Sequence, residues 1–132
     1  MEYISNSPEE TVKIAENYAK TLKKNDVVIL DGDMGAGKTV FSKGVAAGLG
    51  ITANVVSPTY AYMNDYDGIL YHYDCYRLRD GNQAINLGLT DYFEAGGICL
   101  IEWAENIKSV LPANCKRVTI KSLGEKKRII II

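Results

Sequence analysis

With 132 residues, 47% hydrophobic and 23% charged, the chain has the size of one domain and is too apolar to be disordered. A formal net charge of −1 argues against a broad basic face for nucleic acid. Three scattered cysteines with no C-x-x-C pair, beside a single histidine, argue against a zinc site and suit a reducing compartment.

Met1-Glu2-Tyr3-Ile4-Ser5 has neither the basic flank nor the long apolar core of a signal peptide, and no run reaches transmembrane length. A cytoplasmic protein with no membrane association is expected. Ser7-Pro8-Glu9-Glu10 then reads as a helix start, with Ser7 capping, Pro8 at the first helical position and Glu10 completing a capping box. Val12, Ala15, Ala19 and Leu22 recur at spacings of three and four and define one apolar face. Lys23-Lys24-Asn25-Asp26 closes that helix.

Val27-Val28-Ile29-Leu30 is a short apolar run of the kind that forms a buried parallel strand. It leads into Gly32-Asp33-Met34-Gly35-Ala36-Gly37-Lys38-Thr39, which fits the G-x-x-x-x-G-K-[ST] phosphate-loop pattern, and Val40 to Ala47 can continue as a helix. Strand, glycine loop and helix form the context that phosphate binding needs. Glycines allow backbone N–H groups to turn inward around phosphate oxygens, and the helix start adds unpaired donors and the positive end of its dipole. Lys38 is placed to reach the terminal phosphates and Thr39 to coordinate Mg²⁺. The whole stretch from Gly32 to Val40 is the candidate nucleotide cradle.

Gly48 and Gly50 mark the end of this second helix. Val55-Val56 is a short candidate strand, and Pro58 keeps Ser57 extended. Tyr60-Ala61-Tyr62-Met63 and Ile69 to Tyr73 flank Asp67-Gly68, a hairpin signal. Most tyrosines of this region are expected to pack across strands. Gln83 to Phe93 reads as a helix broken near Gly88, with Thr90 able to cap a final turn. Ile98-Cys99-Leu100-Ile101 reads as another buried parallel strand. A helical turn from Ala104 to Val110 stops before Pro112. Arg117 to Lys121 and Arg128 to Ile132 form a closing hairpin around Gly124.

A phosphate loop needs a carboxylate near the metal, commonly at the C-terminal end of a neighbouring strand. Asp74 ends the run Ile69 to Tyr73 and Glu102 ends the run Ile98 to Ile101. Either could sit on the metal side, and either could orient the attacking water; pairing with Arg77 or Arg79 is the structural alternative for both. Thr59, in Ser57-Pro58-Thr59-Tyr60, stands where phosphate-loop switch proteins place a γ-phosphate sensor, or it is a turn residue. His72 reads as a packed histidine with a satisfied hydrogen bond. Trp103 could be core or surface.

The series formed by the phosphate loop, Ser57-Pro58-Thr59-Tyr60, His72-Tyr73-Asp74-Cys75-Tyr76-Arg77-Leu78, Leu87-Gly88-Leu89-Thr90-Asp91-Tyr92-Phe93 and Ile101-Glu102-Trp103 resembles the TsaE family in order and spacing over nearly the whole chain. The resemblance implies a small ATPase that supports threonylcarbamoylation of adenosine in certain tRNAs by binding a TsaD–TsaB pair, so that tRNA is met only indirectly. It implies ATP and Mg²⁺ as cofactors. It implies Lys38 and Thr39 on the phosphates and metal, Thr59 as the switch threonine, Asp74 on the metal side, Glu102 for hydrolysis and Trp103 beside the site. Two departures from the family pattern are visible. Val40 stands where many relatives carry a hydroxyl, and Gly81 to Asn86 lacks an acidic pair often found there.

The fold expected is α/β: one phosphate-loop domain over residues 1–132, with a mostly parallel central sheet, antiparallel hairpin additions and helices on both faces. Two other functions share the loop. A docking module that senses nucleotide without significant hydrolysis needs no active carboxylate. A small-molecule kinase needs basic residues on a mobile lid, whereas the arginines here are only Arg77, Arg79, Arg117 and Arg128 and no lid-like insertion is evident.

Overall fold

In the computed structural model, residues 1–58 and 61–132 are described. Seven strands form one mixed sheet in the order β1-β7-β6-β2-β5-β4-β3. They are β1 (Glu2–Ser5), β2 (Val27–Asp31), β3 (Met63–Tyr66), β4 (Leu70–Asp74), β5 (Ile98–Glu102), β6 (Lys116–Ser122) and β7 (Arg128–Ile131). The helices are α1 (Pro8–Ala19), α2 (Lys38–Gly48) and α3 (Gly81–Asn86). Contacts gather into two compact units. One holds Met1–Leu22, Leu30–Val56 and Arg117–Ile132; the other holds Lys23–Ile29 and Ser57–Lys116.

In the first unit, α1 begins as its sequence dictates. Ser7 Oγ accepts the Glu10 amide at 3.2 Å. Glu10 reaches back one residue further than a capping box requires and accepts the Asn6 amide at 2.7 Å. The buried stripe is Thr11, Ala15 and Ala19, while Val12 and Leu22 are only half-buried. Thr11 tolerates burial because its hydroxyl bonds that of Ser5 at 2.7 Å.

α1 lies against α2 at very short range, because α2 presents glycine where the helices cross. A Cβ on Gly44 would stand 2.5 Å from Cβ of Ala15, and one on Gly48 would stand 2.6 Å from the carbonyl oxygen of Glu16. Gly48 is therefore a contact residue of the last helical turn, and the left-handed stop falls at Gly50, φ +81°. β1 was not anticipated. Its partner is β7, with Glu2 opposite Ile131, and a strand of four residues paired to the far end of the chain leaves no local signal. The closing hairpin is found as expected, β6 antiparallel to β7 with Ser122 opposite Arg128.

In the second unit, β3 and β4 form the hairpin signalled by Asp67-Gly68, whose φ values are +58° and +68°. The turn fixes Tyr66 opposite Leu70 and hence Met63 opposite Tyr73, so β3 runs through polar Asn64 and Asp65 rather than back through Ala61. Tyr60 lies outside the described residues. β5 is parallel to β4, as its unbroken apolar run predicts, and all five of its residues are buried. Tyr73 packs beneath it, stacked on Phe93 at 5.9 Å and donating its hydroxyl to the carbonyl of Leu89 at 2.8 Å.

Three expectations need correction. Val55-Val56 belongs to no strand: Val55 is buried and Val56 exposed in an irregular segment, and two apolar residues cannot distinguish such a segment from a strand. The stretch Gln83 to Phe93 holds two short elements, α3 capped by Asp80 and a 3₁₀ turn over Leu89–Tyr92. Thr90 caps neither, because left-handed Gly88 precedes the second element and supplies no side chain. Ala104–Val110 is helical as expected, but of 3₁₀ type with an irregular Ile107.

Candidate functional site

β2 delivers the chain to the phosphate loop, and each glycine there has its own reason. A Cβ on Gly32 would lie 2.8 Å from the carbonyl oxygen of Ile120 on β6, so only glycine fits beside that strand. Gly35 and Gly37 adopt φ of +83° and +104°, the left-handed region. The Ala36 amide closes a turn on the Asp33 carbonyl at 3.0 Å. Met34 forms the exposed tip.

Gly37 is the residue preceding α2 and makes no side-chain cap hydrogen bond, so no capping side chain occupies the anion-attracting start of the helix. The Phe41 amide makes a helical bond to the Gly37 carbonyl at 3.0 Å. Lys38 is 7% exposed, Thr39 is exposed and Val40 is half-buried. Just before the loop, Asp31 on β2 is paired with Arg117 of β6.

Sequence reasoning missed one contributor. Arg128, the first residue of β7, donates from Nε to the carbonyl of Ala36 at 2.9 Å. Its Nη1 also donates to the carbonyls of Gly124 and Lys127, each at 2.9 Å. Nothing in the run of isoleucines around it announces this contact; only the closing of the hairpin brings it to the loop.

The candidate acids lie in the second unit. Asp74 and Glu102 are register partners at the C-terminal ends of parallel β4 and β5. Asp74 is half-buried, and its Oδ1 accepts the Tyr76 amide at 3.0 Å in a local turn. Glu102 is 6% exposed, and its Oε2 lies 2.7 Å from Nε2 of fully buried His72. With Glu102 ionised, Nε2 carries the proton and donates. Glu102 thus takes a partner that sequence reasoning treated only as packing. Cys75, next to Asp74, has its thiol pushed up to about 12 by burial, and then by the nearby charges of Asp74, Glu102 and Glu105.

Trp103 follows Glu102 in a left-handed conformation, φ +57°, rare for a bulky residue. Its ring meets Tyr76 at 4.9 Å, tilted by 58°. Thr59 lies outside the described residues. Among those described, no group of three or more His, Cys, Asp and Glu side chains is gathered around a metal position. The hydroxyl of Thr39 and the carboxylates of Asp74 and Glu102 are hard oxygen donors. They suit Mg²⁺, which takes few protein ligands and keeps water and phosphate oxygens for the rest.

Residues 5–130 match the family model described as threonylcarbamoyl adenosine biosynthesis protein TsaE. The chain belongs to the TsaE family. It is 47% identical over 125 residues to the tRNA threonylcarbamoyladenosine biosynthesis protein TsaE of Bacillus subtilis strain 168, covering 92% of this chain and 78% of that one. It is 34% identical over 134 residues to the protein of the same name from Treponema pallidum strain Nichols, covering 100% and 99%. The solved crystal structure of Bacillus subtilis YdiB superposes with a TM-score of 0.83 at 42% identity, over 98% of this chain and 82% of that one. The TsaE match takes in the phosphate loop, both acids and Arg128. Among the described residues no helix is long and apolar enough to cross a membrane.

Proposed function

We propose that this TsaE chain binds and hydrolyses ATP with Mg²⁺ as an accessory protein in the N6-threonylcarbamoylation of tRNA adenosine. On this reading it acts in the cytoplasm through TsaD and TsaB counterparts and meets tRNA only through them. The observation that carries the reading is the loop itself: left-handed Gly37 opening α2, with Lys38 and the exposed Thr39 as its first residues. Gly32 to Val40 cradle the phosphates by their amides, and Lys38 offsets phosphate charge. Thr39 and Asp74 would hold Mg²⁺, which would supply neutralisation of phosphate charge. Glu102, held by His72, orients the attacking water, and Thr59 senses the γ-phosphate. Trp103 flanks the nucleotide. The near-neutral charge supports a protein that leaves tRNA to its partners.

The testing experiment is steady-state ATP turnover by the purified chain, alone and with TsaD and TsaB counterparts, with Lys38→Ala as the blank. Slow turnover that rises with the partners and vanishes in the variant or in EDTA supports the reading. Bound ATP that is never cleaved in either condition replaces it with a nucleotide-sensing docking module. The burial of Glu102 against His72 favours that second reading.

A further inference from the structure

We infer that Arg128 is a positioning residue of the phosphate loop, holding the Ala36–Gly37 peptide in the orientation that phosphate binding requires. The inference rests on the nucleotide reading of the loop. In a trans peptide the C=O and the following N–H point in opposite directions. The bond from Arg128 Nε to the Ala36 carbonyl, 2.9 Å, therefore fixes where the Gly37 amide points. That amide opens the helix at its anion-attracting end. Gly37, with φ +104° and no Cβ, has little restraint of its own and gains from an outside brace.

The brace is itself anchored. Nη1 of the same guanidinium donates to the carbonyls of Gly124 and Lys127, and the β6–β7 turn beneath it is closed by the Leu123 amide on the Lys127 carbonyl at 2.8 Å. The planar fork thus ties two carbonyls of the hairpin to one carbonyl of the loop. A lysine has a single nitrogen at its tip and cannot span both sides in this geometry. The hairpin, which carries no recognisable motif, becomes the support of the nucleotide site.

The test is to compare Arg128→Ala and Arg128→Lys with the unaltered chain, titrating ATP, ADP and AMP by calorimetry and recording thermal melting. Both variants are expected to bind ATP and ADP about tenfold more weakly, as loss of a charge-assisted hydrogen bond allows. AMP, which lacks the β-phosphate, should be affected least, so the ADP-to-AMP affinity ratio falls. A melting change with that ratio intact means that Arg128 supports only the hairpin and overturns the inference. So does full restoration by Arg128→Lys. An unaltered chain that binds no nucleotide overturns the underlying reading as well, a different outcome from binding that the variants leave unchanged.

Should both variants fail to fold, hydrogen exchange in the unaltered chain decides. The Arg128 Nε–H should exchange more slowly than that of exposed Arg79 and slow further with ADP. Exchange at the free-arginine rate, with or without ADP, overturns the inference.

Discussion

Glu102 and His72 form a buried pair, Oε2 to Nε2 at 2.7 Å, with Asp74 standing opposite Glu102 at the end of the next parallel strand. One carboxylate oxygen of Glu102 is thereby committed to a fixed donor, which leaves the other to define a direction. Glu102→Gln preserves the shape and removes the charge. ATP turnover should fall about 100-fold while ATP affinity changes little, the pattern of a group needed in the chemical step. An unchanged turnover number would take Glu102 out of catalysis.

His72→Ala removes the hydrogen-bond partner of Glu102, whose side chain is almost wholly buried. Destabilisation of about 3 kcal/mol is expected, at the upper end of the range for leaving a buried polar group without its hydrogen bond. Urea unfolding of the two chains measures it. A loss below about 0.5 kcal/mol would mean that Glu102 finds water instead.

Gly44→Ala adds a methyl group where Cβ of Ala15 would be 2.5 Å away and the Val12 carbonyl oxygen 2.6 Å away. The crossing helices must separate, at a cost of about 1–3 kcal/mol. Ala15→Gly in the same chain relieves one contact but not the other. Denaturant midpoints should therefore show partial recovery in the double variant, and complete additivity would contradict the packing.

Cys99 tests the second unit from inside. Burial pushes its thiol up to about 11 from 9.0, the hydrogen bond with Tyr73 pulling partly the other way. The native chain thus keeps a proton that the unfolded chain releases. The contribution to stability is undiminished below pH 9.0 and falls as pH rises from there to about 11. Iodoacetamide at about pH 8 should alkylate Cys99 far more slowly than a free cysteine, whose pKa is about 8.5. Mass spectrometry of digested, labelled protein gives the rate at this site.

The sequence carried its information unevenly. The phosphate loop was legible because its chemistry requires fixed residue types at fixed spacing, and the strand, the left-handed glycines and the helix stand around it. β4 and β5 were legible as apolar runs, and the Asp67-Gly68 turn fixed the register of β3 better than the tyrosines before it did. What could not be read were pairings between distant segments. β1 needs β7, Arg128 meets Ala36 only after the hairpin closes, and His72 reaches Glu102 across 30 positions. A packed histidine and a histidine that orients a carboxylate look alike in one dimension. Gly44 and Gly48 were similarly silent, since a helix end and a helix crossing both call for glycine.

The contact at Gly44 and Gly48 also couples the position of α1 to that of α2. Backbone touches backbone there, with no long side chain to bend, so the two helices are geared together. The phosphate loop leads directly into α2, so on the nucleotide reading a tilt of α2 when phosphate binds or leaves would be passed on to α1. A solvent-sensitive dye on the outer side of α1, at exposed Lys13 or Asn17, would therefore report the nucleotide state without touching the nucleotide site.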